Sequence, residues 1–284
     1  MKILVTGSDG YIGSQLVSSL ALDGHEVVSF DLRQGDNILE LDQVDEAAKG
    51  CEWIIHLAGV VGIGACEKNP NAWDVNVEGT RNVLRQHKNV IYTSVLAGYK
   101  SQSIDETTPV FPTATYYKSK LEAEALVEAA GQTILRFGAL YGVNPYVFVS
   151  DAKVVYKAMR SDLMVHSFCK EAIETKRLTI FQPNCMRAVT LLDDAVASIK
   201  FMMGLDLRRR GIFNIVSYNV MKALVADLIR DKTGCRLVPI EGEDAEGRNY
   251  IASPKKVKDA GFVFKAPPLG ETIKEICDWY EGVW

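Results

Sequence analysis

Residues 1–16, MKILVTGSDGYIGSQL, combine a strand pattern, a glycine-rich turn and the start of a helix. The apolar residues 3–5 are typical of a buried strand, and Gly7, Gly10 and Gly13 follow at once. A helical pattern of apolar residues begins with Tyr11 and Ile12. In such a corner the glycines permit a tight turn, close approach of a pyrophosphate and close packing of helix on strand, while the helix N-terminus offers N–H donors. The stretch predicts a dinucleotide site formed by these glycines, Tyr11 and Ile12.

A second strand pattern, HEVVSFD, ends at Asp31, which lies 18 positions after Gly13. A carboxylate at about this distance binds ribose hydroxyls in dinucleotide-binding units. Its charge would repel a 2′-phosphate, so the sequence predicts NAD as the cofactor in preference to NADP. Arg33 lies close by and could partly offset that repulsion, which leaves NADP as the alternative.

Composition narrows the class of protein and its partners. The 284 residues are 48% hydrophobic, enough for one large domain or two unequal lobes, and the formal net charge of −4 does not suggest nucleic acid. No apolar run reaches the ~18 residues of a membrane span, and the N-terminus does not resemble a signal peptide. The six cysteines lack C-x-x-C spacing and the four histidines lack paired spacing. We therefore expect a cytoplasmic protein with reduced thiols, no metal and no membrane partner.

Strand and helix patterns alternate through the first half of the chain, which is typical of a parallel sheet covered on both faces. The fold class predicted is α/β, a Rossmann-like doubly wound parallel sheet with a smaller mixed α/β C-terminal lobe for the substrate. We expect residues 1–142, with about 188–212, to form the NAD-binding domain. Residues of about 143–187 and 213–284 are expected to form the smaller lobe. Among the single elements, QTILRFGALYG reads as one strand and YNVMKALVADLIRDKTG as one helix.

The segment TYYKSKLEAE places Tyr116 and Lys120 four residues apart, on one face of a helix. A tyrosine base needs its pKa lowered by about 3 units from about 10, which corresponds to roughly 4 kcal/mol. A lysine ammonium one turn away and a positive nicotinamide ring have the right sign for this shift. Tyr117 points elsewhere on the helix. The alternative is an exposed Tyr–Lys pair without catalytic meaning, but the preceding dinucleotide motif favours catalysis.

At this point the chain resembles the extended short-chain dehydrogenase/reductases, and within them the NAD-dependent epimerase/dehydratase family that acts on nucleotide sugars. The resemblance covers nearly the whole chain in family order. It is carried by the segments TGSDGYIG, FDLR, WIIHLAG, NVEGTRNVL, YYKSK, LRFGALYG and RAVTLLDDA.

The resemblance implies roles for further residues. Leu57, Ala58 and Gly59 would line the strand end beside the cofactor, and Lys120 would also bind the nicotinamide ribose. Asn76 would support the active site. Arg187 would bind the diphosphate of the sugar nucleotide, with Asp194 as the family acid seven positions later.

The chain also departs from the family pattern. The family usually has a catalytic Ser or Thr after the strand NVIYTSV, and the alignment puts Val95 there. A slip of one residue would supply Ser94 instead, and Thr93 is a further, weaker choice. Ser94 is the candidate catalytic hydroxyl, and Thr93 a candidate substrate contact.

Other departures concern the substrate. The acid pair of dehydratases is replaced by Leu96 and Ala97, which argues against elimination of water. Ala139 stands where the family has an asparagine that contacts the nucleotide sugar. His166 is a candidate substrate contact, although simple packing is the more ordinary role for such a histidine.

The function predicted is that of an NAD-dependent nucleotide-sugar epimerase working through a keto-sugar. Two alternatives stay open: an NAD(P)-dependent keto-sugar reductase or dehydrogenase, and a catalytically weak NAD-binding regulatory or scaffold protein. Helices resembling 71–87 and 114–130 pair across a twofold axis in this family. Apolar residues beyond one face of these helices, Trp73, Val77, Leu121 and Leu126, predict a homodimer.

Overall fold

The computed structural model describes residues 1–86, 88–145, 147–150, 153–157, 159–242 and 248–282, with the backbone alone for 147–150, 153–157 and 207. Residue 87 of one expected helix and residues 146, 151–152, 158, 243–247 and 283–284 of the expected second lobe lie outside this description.

The elements are numbered along the chain. The strands are β1 (Lys2–Thr6), β2 (Glu26–Phe30), β3 (Trp53–His56), β4 (Asn89–Val95), β5 (Ser103–Ile104), β6 (Thr133–Phe137), β7 (Ala139–Tyr141), β8 (Val147–Ser150), β9 (Lys153–Lys157), β10 (Arg177–Phe181), β11 (Met186–Leu191), β12 (Ile212–Ile215), β13 (Tyr218–Met221), β14 (Arg236–Ile240) and β15 (Ile251–Ala252). The α-helices are α1 (Tyr11–Leu22), α2 (Leu41–Ala47), α3 (Ile63–Lys68), α4 (Ala72–Leu84), α5 (Thr115–Ala129), α6 (Met164–Thr175), α7 (Leu192–Met203), α8 (Lys222–Thr233), α9 (Lys255–Asp259) and α10 (Leu269–Tyr280).

Six strands form one parallel sheet in the order β12-β6-β4-β3-β1-β2. Because β1 lies between β2 and β3, the direction in which strands are added reverses at β1. Ligands of such sheets bind outside the carboxyl ends of the strands at this switch point. The sheet therefore directs a ligand to the loops that follow β1, β2 and β3.

Helices cover both faces of the large sheet. On one face α1 and α7 pack over a core that includes Ile3, Leu16, Leu135 and Ile199, all fully buried. On the other face α2, α4 and α5 pack over two smaller apolar clusters. This arrangement confirms the predicted doubly wound α/β fold.

The second part of the chain builds a smaller mixed α/β region around its own apolar cluster. Helices α6, α8 and α10 pack together beside the parallel pair β10–β14. A three-stranded sheet in the order β13-β11-β7 lies next to them, and the short pair β15–β5 links the tail back to the first half. Strands β8 and β9 form an antiparallel hairpin.

Three details differ from the sequence expectations. The expected strand QTILRFGALYG divides at Gly138, where an added Cβ would lie 2.7 Å from the backbone of Ala188, and β7 joins the second sheet. The expected helix YNVMKALVADLIRDKTG begins with strand β13, because these residues pair with β11. Strand β12 lies in the large sheet, so the boundary expected after residue 212 falls inside a strand. No helix in the described ranges has both the length and the apolar character to cross a bilayer.

Candidate functional site

The glycine corner after β1 is closed by backbone contacts that leave no room for side chains. Gly7 has a φ of +71°, and a Cβ there would lie 2.7 Å from the Ala58 nitrogen. A Cβ on Gly13 would lie 2.1 Å from the Gly7 oxygen, so helix α1 packs against the turn itself. Gly10 is the N-cap of α1 and provides no side-chain cap. The first N–H groups of the helix, including those of Tyr11 and Ile12, have no intrahelical acceptors and suit a phosphate.

The end of β2 places Asp31 beside this corner. One Asp31 carboxylate oxygen accepts a hydrogen bond from the backbone N–H of Asp9 at 3.0 Å, and the other accepts from the N–H of Arg33 at 3.0 Å. The Arg33 guanidinium donates to the Asp9 carbonyl at 2.7 Å. The acid that the sequence assigns to the ribose thus belongs to the loop structure around the glycines.

The loop after β3 forms the third side of the corner and is fixed by Asn76 of α4. The Asn76 side chain accepts a hydrogen bond from the Val60 N–H at 2.8 Å and donates to the Val60 carbonyl at 3.1 Å and to the Ser119 hydroxyl at 2.9 Å. A Cβ on Gly59 would lie 2.8 Å from the Asn76 oxygen, which explains a glycine at that position. The backbone N–H groups of Leu57 and Ala58 donate to Thr6, which joins this loop to β1.

Tyr116 and Lys120 lie on the buried face of α5, so they do not form the exposed pair considered as the alternative. The Lys120 ammonium donates to the Thr93 carbonyl at 2.7 Å and lies 4.1 Å from the centre of the Tyr92 ring. Burial lowers the pKa of Lys120 to about 7, while the Glu124 carboxylate one turn on opposes this shift. A cation can be held at this position, but part of its charge is lost near neutral pH.

The Tyr116 hydroxyl has its pKa raised above the ordinary value of 10.0, because burial disfavours the phenolate. The direction is opposite to the shift predicted from the sequence. The cation that most opposes it is Arg160, which the sequence argument overlooked. Lowering the pKa of Tyr116 therefore requires positive charge beyond that of the chain itself, such as the nicotinamide ring.

Arg160 is held where the smaller region meets the loop after β3. Its guanidinium binds the Asp162 carboxylate with two hydrogen bonds of 2.7 and 2.6 Å. A Cβ on Gly62 would lie 3.9 Å from Arg160 and 3.7 Å from Asp162, so this ion pair adjoins the start of α3. Ile63 and Cys66 of α3 pack in the cluster that contains Tyr116. No motif distinguished Arg160 in the sequence.

The end of β4 contains the two candidate positions for the catalytic hydroxyl. Val95 packs in the apolar cluster that contains Tyr116. The Ser94 hydroxyl is inaccessible to solvent and has no hydrogen-bond partner among the described residues. It lines a small cavity with Lys120 and the buried ion pair of Glu124 and Arg136, a cavity that Val95 also borders. The structure thus places Val95, and not Ser94, in the apolar cluster with Tyr116.

The side chain of Thr93, a candidate substrate contact, binds the backbone of β3. Its hydroxyl donates to the His56 carbonyl at 3.4 Å, and only 9% of the residue is exposed. His56, whose pKa burial lowers to about 3, bridges the Thr6 and Thr80 hydroxyls at 2.7 and 3.0 Å. These side chains hold β1, β3 and α4 together beneath the site.

His166, the other candidate substrate contact, lies in the interior of the protein. It is fully buried, its Nε2 atom lies 3.2 Å from the Tyr11 hydroxyl, and its ring meets that of Tyr11 edge-on. Burial lowers the pKa of His166 to about 4. The Tyr11 hydroxyl donates to the Gly142 carbonyl, so this buried group joins α1 to the smaller region.

Arg187 and Arg248 meet beside the smaller region. Arg187 lies on β11 and donates to the Arg248 carbonyl at 2.6 Å. Asp194 is buried and accepts hydrogen bonds from the Ser217 hydroxyl at 2.7 Å and the Lys265 N–H at 2.8 Å. Asp194 thus fixes two loops. Arg248, whose carbonyl binds Arg187, was not identified from the sequence as a candidate cation. Ala139 provides no polar group on β7. Within the described residues, no group of His, Cys, Asp or Glu is arranged to hold a metal ion.

Comparisons with known proteins bear on the family and the fold of the chain. The model of the NAD dependent epimerase/dehydratase family matches residues 3–203. The chain is 29% identical over 245 residues to a UDP-glucose epimerase described as uncharacterized, YtcB of Bacillus subtilis (strain 168), which covers 72% of this chain and 73% of that protein. It is 30% identical over 154 residues to a 3-beta-hydroxysteroid dehydrogenase of Mycolicibacterium neoaurum, covering 44% of this chain and 42% of that one. The crystal structure of UDP-glucuronic acid 4-epimerase from Bacillus cereus, in complex with UDP-glucuronic acid and NAD, superposes with a TM-score of 0.85 at 21% identity over 100% of both chains.

Proposed function

Because the chain belongs to the NAD-dependent epimerase/dehydratase family, we propose that it inverts one carbon of a nucleotide-linked sugar through a keto-sugar intermediate. Membership confirms the resemblance predicted from the sequence and NAD as the cofactor. The observation that carries the proposal is the position of Tyr116, buried on α5 with Lys120 and close to the loop that follows β3. Leu96 and Ala97 take the place of the dehydratase acids, which favours inversion over loss of water.

The residues present fit NAD. The corner at Gly7 and Gly13 has no room for a Cβ, and the α1 N-terminus beside it suits a diphosphate. Asp31 would accept hydrogen bonds from ribose hydroxyls, Leu57 and Ala58 would border the cofactor, and Lys120 would bind the second ribose. When bound, NAD⁺ accepts a hydride from the sugar carbon and returns it.

Tyr116 would carry the proton chemistry. Its phenolate would take the proton of the sugar hydroxyl while the same carbon loses its hydride, which leaves a ketone. Return of the hydride to the opposite face of the ketone, with return of the proton from Tyr116, would invert the sugar carbon. Tyr116 and the cofactor would then be back in their starting forms. Val95 provides no hydroxyl for the reacting oxygen, so Tyr116 would act without the usual partner.

The smaller region would bind the nucleotide part of the substrate. Arg187 lies there beside the backbone of Arg248, and a guanidinium group suits a diphosphate. We propose that the chain divides into an NAD-binding domain, which contains the large sheet including β12, and a substrate lobe, which is the smaller region.

A dehydrogenase or reductase is the second candidate, and Val95 is the observation that favours it. Without the hydroxyl, control of the keto-sugar is weaker, and one-way oxidation or reduction becomes the simpler reaction. The test is incubation of the purified protein with NAD⁺ and single UDP-hexoses and UDP-hexuronic acids. An epimerase converts each sugar to a mixture of isomers, seen by chromatography, without accumulating NADH. A dehydrogenase accumulates NADH in proportion to product. Binding of NAD without either change would identify the weakly catalytic alternative.

We also propose a homodimer formed through α4 and α5, which pack against each other. Trp73 on α4 is 41% exposed, and Leu121 and Leu126 of α5 are half-buried. Val77 is only 3% exposed and belongs to the protomer's interior, so it does not support the dimer as the sequence suggested. Light scattering should give twice the chain mass of 31.4 kDa, and Trp73→Glu should return it to one.

A further inference from the structure

The glycine corner contains a carboxyl group that the cofactor assignment does not use. Asp9 lies between Gly7 and Gly10 and is only 6% exposed. Its Oδ1 atom accepts a hydrogen bond from the Gln34 side-chain amide at 2.7 Å and one from the Ser8 hydroxyl at 3.3 Å. Gln34 follows β2, so this contact joins the loop after β1 to the loop after β2.

Asp9 and Asp31 are held side by side. The Asp9 N–H donates to an Asp31 carboxylate oxygen at 3.0 Å, and the two carboxyl groups interact electrostatically. Burial and, to a smaller extent, the Asp31 charge raise the pKa of Asp9, while the bond from Gln34 opposes this shift. The site that receives the ribose thus contains two neighbouring acids.

Arg33 places a cation in this loop, and its charge opposes part of the rise in the pKa of Asp9. Its guanidinium donates to the carbonyl oxygen of Asp9 at 2.7 Å, and so is held on the loop backbone. The Asp36 carboxylate lies in the same turn and accepts a hydrogen bond from the Asp31 N–H at 3.0 Å. Acids therefore outnumber cations where a 2′-phosphate would lie.

We propose that Asp9 is a second specificity-determining residue, which acts with Asp31 to select a dinucleotide with a free 2′-hydroxyl and to reject one with a 2′-phosphate. A 2′-hydroxyl can donate a hydrogen bond to a carboxylate, whereas a phosphate brings about two negative charges to it. The hydrogen bond from Gln34 fixes the Asp9 carboxyl group in the loop. The Asp9 side chain must break this bond to turn away from a phosphate.

The test measures binding of NAD⁺ and NADP⁺ by isothermal titration calorimetry to the full chain freed of cofactor. Asp9→Asn keeps an oxygen for the Gln34 bond and removes the charge. It should tighten NADP⁺ binding about tenfold and change NAD⁺ binding by less than about threefold, since removal of one like charge near a phosphate has this size in screened solvent. Asp9→Ser should act in the same direction and replaces Asp9→Asn if that variant does not fold.

The matched control is Asp23→Asn. Asp23 lies at the other end of α1, paired with Lys200 at 2.5 Å, and its substitution changes the formal charge equally. The NADP⁺-to-NAD⁺ affinity ratio should be unchanged in this control. An unchanged ratio in Asp9→Asn, or an equal loss of affinity for both cofactors, would overturn the proposal and leave Asp9 as a loop-fixing residue. No substrate enters the measurement, so its outcome is independent of the reaction proposed for Tyr116.

Discussion

Burial of the Lys120 ammonium should lower the free energy of unfolding. The substitution Lys120→Met should raise it again in part, while abolishing activity. The pKa of Lys120 is lowered from its ordinary value of 10.5 to about 7 because the ammonium is buried. Between these two pH values the unfolded chain holds a proton that the folded chain does not. Protonation of Lys120 in the unfolded chain therefore lowers the free energy of unfolding by about 4 kcal/mol at pH 7.

Methionine removes this cost but also removes a hydrogen bond. The Thr93 carbonyl accepts from the Lys120 ammonium at 2.7 Å, and a buried carbonyl without a partner costs about 1–3 kcal/mol. The net expectation is that Lys120→Met raises the free energy of unfolding by about 1–3 kcal/mol at pH 7. The difference between variant and wild type should shrink by about 2 kcal/mol from pH 7 to pH 9, since the unfolded chain loses its excess proton as the pH approaches 10.5.

Urea denaturation at pH 7, 8 and 9, followed by tryptophan fluorescence, measures this difference, provided that the m-values of the two proteins agree. Lys118→Met is the control, because Lys118 lies on the same helix with an exposed side chain. It should change the free energy of unfolding little, and equally at every pH. A Lys120→Met protein that is less stable than wild type by the same amount from pH 7 to pH 9 would refute the reasoning.

Three further outcomes are expected. Tyr116→Phe should lower isomer interconversion by at least ~10²-fold, measured by chromatography, while NAD binding by calorimetry stays within a few-fold; near wild-type turnover would exclude Tyr116 as the acid/base. Ser94→Ala should change turnover by less than about threefold, whereas Val95→Thr should increase it by supplying a hydroxyl next to Tyr116; the reverse pattern would assign Ser94 to catalysis. Arg160→Met should raise the pKa of Tyr116 and move the rising limb of the pH–rate profile upward by on the order of half to one pH unit. Arg208→Met is its control, because Arg208 makes the same kind of two-bond pair with a neighbouring aspartate at the surface, and an equal shift there would contradict the electrostatic account.

The parts of the fold that the sequence predicted are those set by local pattern. The glycines at 7, 10 and 13 predicted the corner from their spacing, and the structure leaves no room for a Cβ at Gly7 and Gly13. Asp31 could be placed because a strand fixes how far its end lies from the preceding turn. Tyr116 and Lys120 could be placed on one helix face because helical periodicity does not depend on the rest of the molecule.

The parts that the sequence did not predict depend on distant segments. Gly138 divides an apolar run because β11 passes against its backbone, at a distance of 50 residues along the chain. His166 is buried because Tyr11, far away in sequence, covers its ring. Arg160 comes beside the loop after β3 through the packing of the smaller region, and no local pattern marks an arginine that is brought to a site in this way.

The ionisation of Tyr116 depends on charges of the chain and on the charge of the cofactor. Burial raises the pKa of the phenol, Lys120 is bound to the Thr93 carbonyl, and burial brings the pKa of Lys120 itself to about 7. The chain therefore leaves Tyr116 protonated, although Arg160 opposes the rise in its pKa, until a further positive charge from outside the chain lies beside it. In the proposed reaction the positive charge of oxidised nicotinamide would favour loss of the proton from Tyr116, and the neutral reduced ring would favour its retention. Tyr116 would then be a base when the sugar is oxidised and an acid when the ketone is reduced, as an inversion through a ketone requires.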